Sequence, residues 1–440
     1  MKIKVVGAGL AGCEAAWQAA ARGVDVELID IKPHEFTPAH HSRDFAELVC
    51  SNSLRAAGLE NAVGLLKEEL RIMDSLILTA ADATTVPAGG ALAVDREAFS
   101  RYITEKILSH PRITFISQKV EEIPEDDICI IATGPLTCGP LADAISNALG
   151  EPLSFFDAAA PIVTFESIDM SKAYFASRYG KGSPDYINCP MDKEQYLAFH
   201  RELVNGDCVQ LHEFEDSRVF EGCMPIEVMA RRGEDTIRFG PLKPVGLPDP
   251  RTGKDPYAVV QLRKDNSEGS LYNIVGFQTH LRMSEQKRIF SMIPGLEQAE
   301  FIRYGVMHRN TFLHSPGQLD YTYMVKNRVG LFFAGQMTGV EGYVESTASG
   351  LVAGIAAARM ALGEETVDFP ANTAIGALAH YISNESIVNF QPMNVNFGIF
   401  DQSKITAKKK KDRRAMISTM AQEEITKIAA EISPQKRNVK

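Results

Sequence analysis

The chain has 440 residues, 45% hydrophobic, 8% aromatic and 23% charged, an ordinary balance for a globular protein, and at roughly 150 residues per domain it holds two or three folding units. Its net charge of −10 argues at first against a polyanionic partner, and no run reaches the ~18 consecutive apolar residues of a membrane span. Seven cysteines without a C-x-x-C pair do not suggest a secreted disulfide framework, so free thiols in a reducing, cytoplasmic compartment are expected.

In chain order, residues 2–6 read as a β run that starts with no signal-peptide core ahead of it. Residues 10–22 read as an Ala-rich helix broken by Gly23, and 24–29 as a second β run ending at Asp30. Residues 33–58, with Pro33, His34, Pro38, His40, His41 and Gly58, read as an irregular loop followed by short helical pieces. The run 127–132 has the pattern of a strand buried on both faces. From about 151 to 300, short β-like runs alternate with Gly/Pro-rich connectors such as 240–248, which predicts an inserted mixed α/β domain. An apolar strand returns at 329–335, followed by a Gly-rich turn and a small-residue helix over 344–362. Last come the basic run 408–411 and a stripe at Ile417, Met420, Ala421, Ile425, Ile428 and Ile432, one face of a helix.

Charge is unevenly placed along the chain. From residue 404 onward eleven Lys/Arg stand against four Asp/Glu, so the body carries the whole acidic excess. A polyanion handled by the tail and a merely solvated basic end explain that pattern equally well.

The first strand–helix junction carries Gly7-Ala8-Gly9-Leu10-Ala11-Gly12, a G-x-G-x-x-G. The first Gly allows a tight turn, the second lets backbone approach a pyrophosphate, and the third lets helix and strand pack closely. The helix N-terminus presents unpaired N–H groups to that pyrophosphate. Asp30 ends the second strand, where a carboxylate can hold a ribose hydroxyl pair. Two later segments decide which dinucleotide. Ile130-Ile131-Ala132-Thr133-Gly134-Pro135 resembles the Ala-Thr-Gly strand end of two-domain FAD proteins. Residues 331–339, which include Gly335 and Gln336, resemble their late flavin-binding strand. FAD is the cofactor expected, in an α/β fold with a Rossmann-type FAD-binding domain, the inserted domain and a basic C-terminal helix. The boundaries read as 1–150 and 301–400 for the two parts of the FAD domain, 151–300 for the inserted substrate domain and 401–440 for the basic segment.

Cys50 and Cys223 are flanked by small or polar residues rather than by an apolar run. Cys129, inside a predicted buried strand, reads as a small hydrophobe. Cys13 reads as structural, and Cys138, Cys189 and Cys208 have no distinguishing context. No His/Cys spacing suits zinc, so no metal is expected. His280, His308 and His314 fall near Arg/Lys residues, which a polar surface explains as well as a site does.

Several segments belong together: 37–41 (Thr-Pro-Ala-His-His), 45–54 (Phe-Ala-Glu-Leu-Val-Cys-Ser-Asn-Ser-Leu), 221–227 (Glu-Gly-Cys-Met-Pro-Ile-Glu), 303–311 (Arg-Tyr-Gly-Val-Met-His-Arg-Asn-Thr) and 335–343 (Gly-Gln-Met-Thr-Gly-Val-Glu-Gly-Tyr). In them the chain resembles the folate- and FAD-dependent tRNA (uracil-54-C5) methyltransferases. The motifs span roughly residues 2–400, and the two cysteine motifs discriminate best. A sibling flavoprotein, which modifies wobble uridines, shares parts of the fold. One departure is Asp30 where the family often has Glu, which preserves the ribose contact.

The resemblance implies formation of 5-methyluridine at T-loop uridine 54. The donor is 5,10-methylenetetrahydrofolate, reduced FAD is the hydride source, and NADH or NADPH is the reductant. The chemistry is coherent, because uracil C5 is a poor nucleophile until a thiolate adds at C6. The resemblance assigns the nucleophile to Cys223 and a second catalytic thiol, a base for the C5 proton, to Cys50. It places Tyr343 in the folate pocket, with ordinary aromatic packing on the cofactor as an equal reading. Candidate tRNA contacts are Arg282, Lys287 and Arg288 in the insertion, and Lys404, Lys408, Lys409, Lys410, Lys411, Arg413 and Arg414 in the tail. A monomer is expected. Three other readings remain at this stage. A related flavin- and folate-dependent uridine modification predicts a heavier adduct. An NAD(P)H-dependent flavin oxidoreductase of a small molecule predicts turnover without RNA. A non-catalytic tRNA-binding protein predicts no effect of Cys223→Ala on any chemistry.

Overall fold

The computed structural model describes residues 2–125, 128–150, 153–158, 160–209, 224–305, 307–387 and 390–432. The strand Lys2–Val6 is the centre of a five-stranded parallel sheet. Across the sheet the strands run Leu331–Phe333, Ile128–Ile131, Lys2–Val6, Asp25–Asp30 and Ile113–Ser117. Ile3, Val5, Ile130, Ile131, Phe332 and Phe333 are fully buried, which is why these strands read as continuous apolar runs. Val6 pairs with Ile29 and with Ile131, and Ile131 with Phe333. The strand ends are therefore level. They deliver Gly7, Asp30, Ala132 and Ala334 to the carboxyl edge, where open α/β sheets bind their ligands.

Two helices lie against each other beneath that edge, Leu10–Ala21 and Tyr343–Ala361. A Cβ added at Gly350 would stand 2.2 Å from the Ala11 carbonyl oxygen, and one at Gly354 2.6 Å from that of Ala15. The small residues of the late helix thus bring it to backbone contact with the first, so two ends of the chain share one cofactor edge.

Between these ends the chain builds a second sheet of six strands. Their order is Tyr174–Ala176, Tyr186–Met191, Ala258–Lys264, Leu271–Ile274, Ile162–Thr164 and Phe301–Arg303, all paired antiparallel. It has its own core, with Phe199, Leu262, Phe277 and Phe290 fully buried. The helix Lys193–Asn205 contributes Phe199 and starts on a capping box between Asp192 and Gln195. The chain leaves and returns through an antiparallel pair, Leu153–Ala158 with Met307–Phe312.

The last helix, Lys410–Ile432, buries Ile417, Ala421, Ile425, Ile428 and Ile432, with Met420 half-buried. It packs on the helix Ala62–Ile72. Ser418 Oγ donates to the Leu59 carbonyl at 2.9 Å. Its basic start is left exposed.

Residues 33–58 depart from the expectation of short helical pieces. The Ser51 and Ser53 hydroxyls accept the backbone N–H of Ser53 and Arg55 at 3.1 and 3.0 Å, which competes with helix formation. The strand Ser53–Ala56 forms instead, paired with Ala91–Val94. Buried Lys67 holds it, donating to the carbonyls of Leu54 and Ala56 at 2.7 Å each. Burial lowers the Lys67 amine to about 7.

Candidate active site

The three glycines of the fingerprint separate into two roles. At Gly7, with φ +105°, a Cβ would stand 2.4 Å from the Ala132 oxygen, and at Gly12 it would stand 1.8 Å from the Gly7 oxygen. Both positions are forced by packing. At Gly9 nothing lies within 4 Å of an added Cβ, so this backbone faces open space beside the start of the helix at Leu10 and Ala11. Asp30 holds the turn, its two oxygens accepting the N–H of Ala8 at 2.6 Å and of Lys32 at 2.9 Å.

Across the edge, Gly134 has φ +78° and also opens onto free space. Gly335, with φ +85°, gives its N–H to Ser349 Oγ at 2.7 Å, and Gln336 Nε2 donates to Glu341 at 2.6 Å. The helix Tyr343–Ala361 starts at Gly342 without a side-chain cap. Two helix N-termini and two open glycines therefore line one edge, and an FAD pyrophosphate fits there, its charge met by helix dipoles.

Cys50 stands beside that second helix start. Tyr343 Oη lies 2.9 Å from Cys50 Sγ and accepts the N–H of Cys50 at 2.8 Å and of Ser51 at 3.2 Å. The loop is held by three arginines from distant segments. Arg96 donates to the Leu48 carbonyl and pairs with Asp265 at 3.0 Å. Arg303 donates to the Val49 carbonyl. Buried Arg263 donates to Ser51 Oγ at 2.7 Å and to Asn52 Oδ1 at 3.1 Å. Asn52 reaches on to the carbonyls of Val94 and Lys264. The Cys50 loop is thus a joint between the two sheets.

Cys223 lies outside the described residues, as do Glu221 and Gly222 of its motif. Downstream, Glu227 is fully buried. It accepts from Thr279 Oγ1 at 2.8 Å and from the His280 N–H at 2.7 Å, and its Oε1 lies 3.0 Å from His280 Nδ1. His280 is therefore buried rather than on the polar surface its neighbours suggested, and its Nε2 has no hydrogen-bond partner among the described residues. Cys129, Cys13 and Cys189 are buried, and burial pushes the thiols of Cys13 and Cys189 well up. Cys138 is exposed.

The basic residues differ among themselves. Arg288 pairs with Glu202 at 2.6 Å and Glu285 at 2.7 Å, and Arg282 with Asp207 at 3.0 Å, exposed ion pairs of the weak surface kind. Lys287, Lys404, Lys408, Lys409 and Lys410 are exposed and make no ion pair among the described residues. Arg413 is exposed and bonds to Gln402. Sequence reasoning missed the three arginines around Cys50. It also missed Glu345, fully buried, paired with Arg55, and with Oε2, close under Gly342, lacking a partner among the described residues. Arg303 alone lay inside a quoted motif; the others carried no local signal.

A family model described as Glucose inhibited division protein A matches residues 2–365. The methylenetetrahydrofolate–tRNA-(uracil-5-)-methyltransferase TrmFO of Acetivibrio thermocellus is 62% identical over 412 residues, which is 93% of this chain and 94% of that one. The protein of that name from Listeria monocytogenes is 59% identical over 431 residues, 98% and 99% of the two chains. The chain belongs to the TrmFO family. Among solved structures, GidA of Aquifex aeolicus superposes with TM-score 0.72 at 17% identity, over 98% of this chain and 73% of that one. At that identity the likeness speaks for the fold alone. Within the TrmFO family frame, the cofactor edge and the Cys50 loop lie side by side, joined through Tyr343. Among the described residues no helix is long and apolar enough to cross a membrane, and no His/Cys/Asp/Glu group could hold a metal.

Proposed function

We propose that this TrmFO-family chain methylates C5 of uridine 54 in the tRNA T-loop. The carbon comes from 5,10-methylenetetrahydrofolate, the hydride from FAD reduced by NADH or NADPH, and the reaction takes place in the cytoplasm. The observation that carries the reading is a thiol, Cys50, bonded to the first residue of the helix that opens on the cofactor edge, in a chain 62% identical to a TrmFO. In this reading the dinucleotide lies on the turn Gly7 to Gly12, which the packed Gly7 and Gly12 and the bonds of Asp30 shape so that Gly9, Leu10 and Ala11 face it, with Gly134, Gly335 and Gln336 on its other flank.

The uridine must leave the T-loop stack to reach this site. Cys223 Sγ then bonds to C6, and the C5=C6 electron pair moves into the C4 carbonyl as an enolate. C5 attacks the folate methylene carbon, forming a C–C bond as a C–N bond breaks with its pair going to the folate nitrogen. Cys50 Sγ takes the C5 proton, and the released pair forms the exocyclic C5=CH2 bond as the second C–N bond breaks with its pair going to the other folate nitrogen. Bound FAD, when reduced, would supply the hydride that brings the one-carbon unit to the methyl level, after which the ring enolate expels Cys223 Sγ from C6 and C5=C6 is restored.

The direct test incubates the holoprotein with an unmodified tRNA transcript, methylenetetrahydrofolate, FAD and NADH, then measures digested nucleosides by mass spectrometry. Ribothymidine is expected with the folate and not when S-adenosylmethionine replaces it. Turnover of NADH without ribothymidine under either donor favours a small-molecule oxidoreductase and overturns the proposal.

For tRNA, the free charges of Lys287, Lys404 and Lys408, Lys409 and Lys410 are the phosphate contacts of this reading. Replacing Lys408, Lys409 and Lys410 together by Ala is expected to lower the slope of log K against log salt by about 2 to 3 units. Filter binding at several salt concentrations measures it, and an unchanged slope removes the tail from the interface.

A further inference from the structure

The polarity of one hydrogen bond can be read from its neighbours. Tyr343 Oη already accepts two backbone N–H groups, from Cys50 at 2.8 Å and Ser51 at 3.2 Å. A phenol oxygen has no further lone pair to offer a thiol proton. The contact at 2.9 Å to Cys50 Sγ is therefore one in which Tyr343 donates and sulfur accepts. A thiol is a weak acceptor; a thiolate is a strong one.

The charges around the loop point the same way. Arg96, Arg263 and Arg303 approach Leu48, Val49, Ser51 and Asn52; of the nearby carboxylates among the described residues, Asp265 pairs with Arg96 and Glu345, two residues after Tyr343, pairs with Arg55. Glu47 on the same loop faces away, held by Lys32 and by the N–H groups of His41 and Ser42. Arg303 is half-buried and pairs with no carboxylate among the described residues. Arg96 and Arg303 both lie within electrostatic reach of Cys50, Tyr343 and Asp265. Burial holds the Tyr343 phenol well above its ordinary range, with Cys50 adding to the effect, so Tyr343 keeps the proton it donates.

We propose that Tyr343, as hydrogen-bond donor, and Arg303, as uncompensated cation, are positioning residues that keep Cys50 as a thiolate in the resting protein. The reading of Tyr343 changes with it, since its hydroxyl serves the sulfur. Under the methylation reading, on which only this last step rests, the resting anion is the base that accepts the C5 proton.

The test follows iodoacetamide alkylation of Cys50 in the holoprotein across pH 5.5 to 9.5, read by peptide mass spectrometry. In each event Sγ bonds to the methylene carbon and iodide leaves. The midpoint is expected at least one unit below the ~8.5 of a free cysteine. Tyr343→Phe and Arg303→Gln are each expected to raise it by about one unit, slowing alkylation near pH 6.5 about tenfold. Arg303→Lys, which restores the charge, should keep most of the low midpoint. Cys138, exposed on another segment, is the internal reference and should not move. The two variants sit on different elements, so failure of one to fold leaves the other to decide. A wild-type midpoint at or above ~8.5, or one unmoved in both variants, overturns the proposal. Because the readout needs neither tRNA nor folate, a low midpoint without ribothymidine sinks the methylation reading alone. Ribothymidine with an ordinary midpoint sinks only the thiolate.

Discussion

Cys223→Ala and Cys50→Ala are each expected to abolish ribothymidine formation while leaving flavin bound, and they should fail at different steps. On the proposed assignment, loss of Cys223 removes the group that adds to C6, so C5 never becomes nucleophilic and no covalent protein–RNA complex forms. On the same assignment, loss of Cys50 removes the base, a role worth about 10²- to 10⁴-fold in rate. Addition and carbon transfer still proceed in that variant, and the adduct that cannot shed its C5 proton accumulates. A denaturing gel of protein mixed with tRNA and methylenetetrahydrofolate separates the two. A slow band is expected for Cys50→Ala and none for Cys223→Ala. The reverse pattern exchanges the two roles, and full activity in either variant removes that thiol from the mechanism.

Gly12→Ala is expected to cost about 3 kcal/mol or more of stability, and Gly9→Ala almost none, while Gly9→Ala weakens flavin binding. The two glycines sit in one motif but meet different surroundings. A Cβ at Gly12 falls 1.8 Å from the Gly7 oxygen and 2.9 Å from the Gly7 carbonyl carbon. These are backbone atoms of the turn itself, which no rotamer change can move aside. At Gly9 the Cβ enters space where, beyond its chain neighbours, no atom of the described residues lies within 4 Å, the space proposed for a pyrophosphate. Thermal melting and flavin absorbance of the two variants decide the matter. Full flavin affinity in Gly9→Ala would show that this opening is not the phosphate site.

Much of the cofactor edge was legible before any fold was known, because the information is local. Within 30 residues a strand, a Gly-rich turn, a helix and a terminal acid follow one another, and each is specified by neighbours in sequence. Buried strands announce themselves by unbroken apolar runs, as Ile128–Ile131 does. The tail helix was legible for a similar reason, since its buried stripe repeats with the helical period. The expectation of helix in 33–58 failed because side-chain hydroxyls, which leave no periodic trace, captured the backbone. Arg288 is exposed, and nothing local in the sequence showed that Glu202, 86 residues away, pairs with it.

The sequence by itself determined a dinucleotide turn, its strands and two unusual cysteines, and its motifs named the family. Only the tertiary structure decided what surrounds Cys50. Tyr343 lies 293 residues from it along the chain, Arg303 is 254 residues from Val49, and Arg263 is 211 from Asn52. Electrostatic fields act through space and not along the chain. The charge state of a thiol is therefore set by which distant segments the fold brings to it, and no local pattern of residues carries that information.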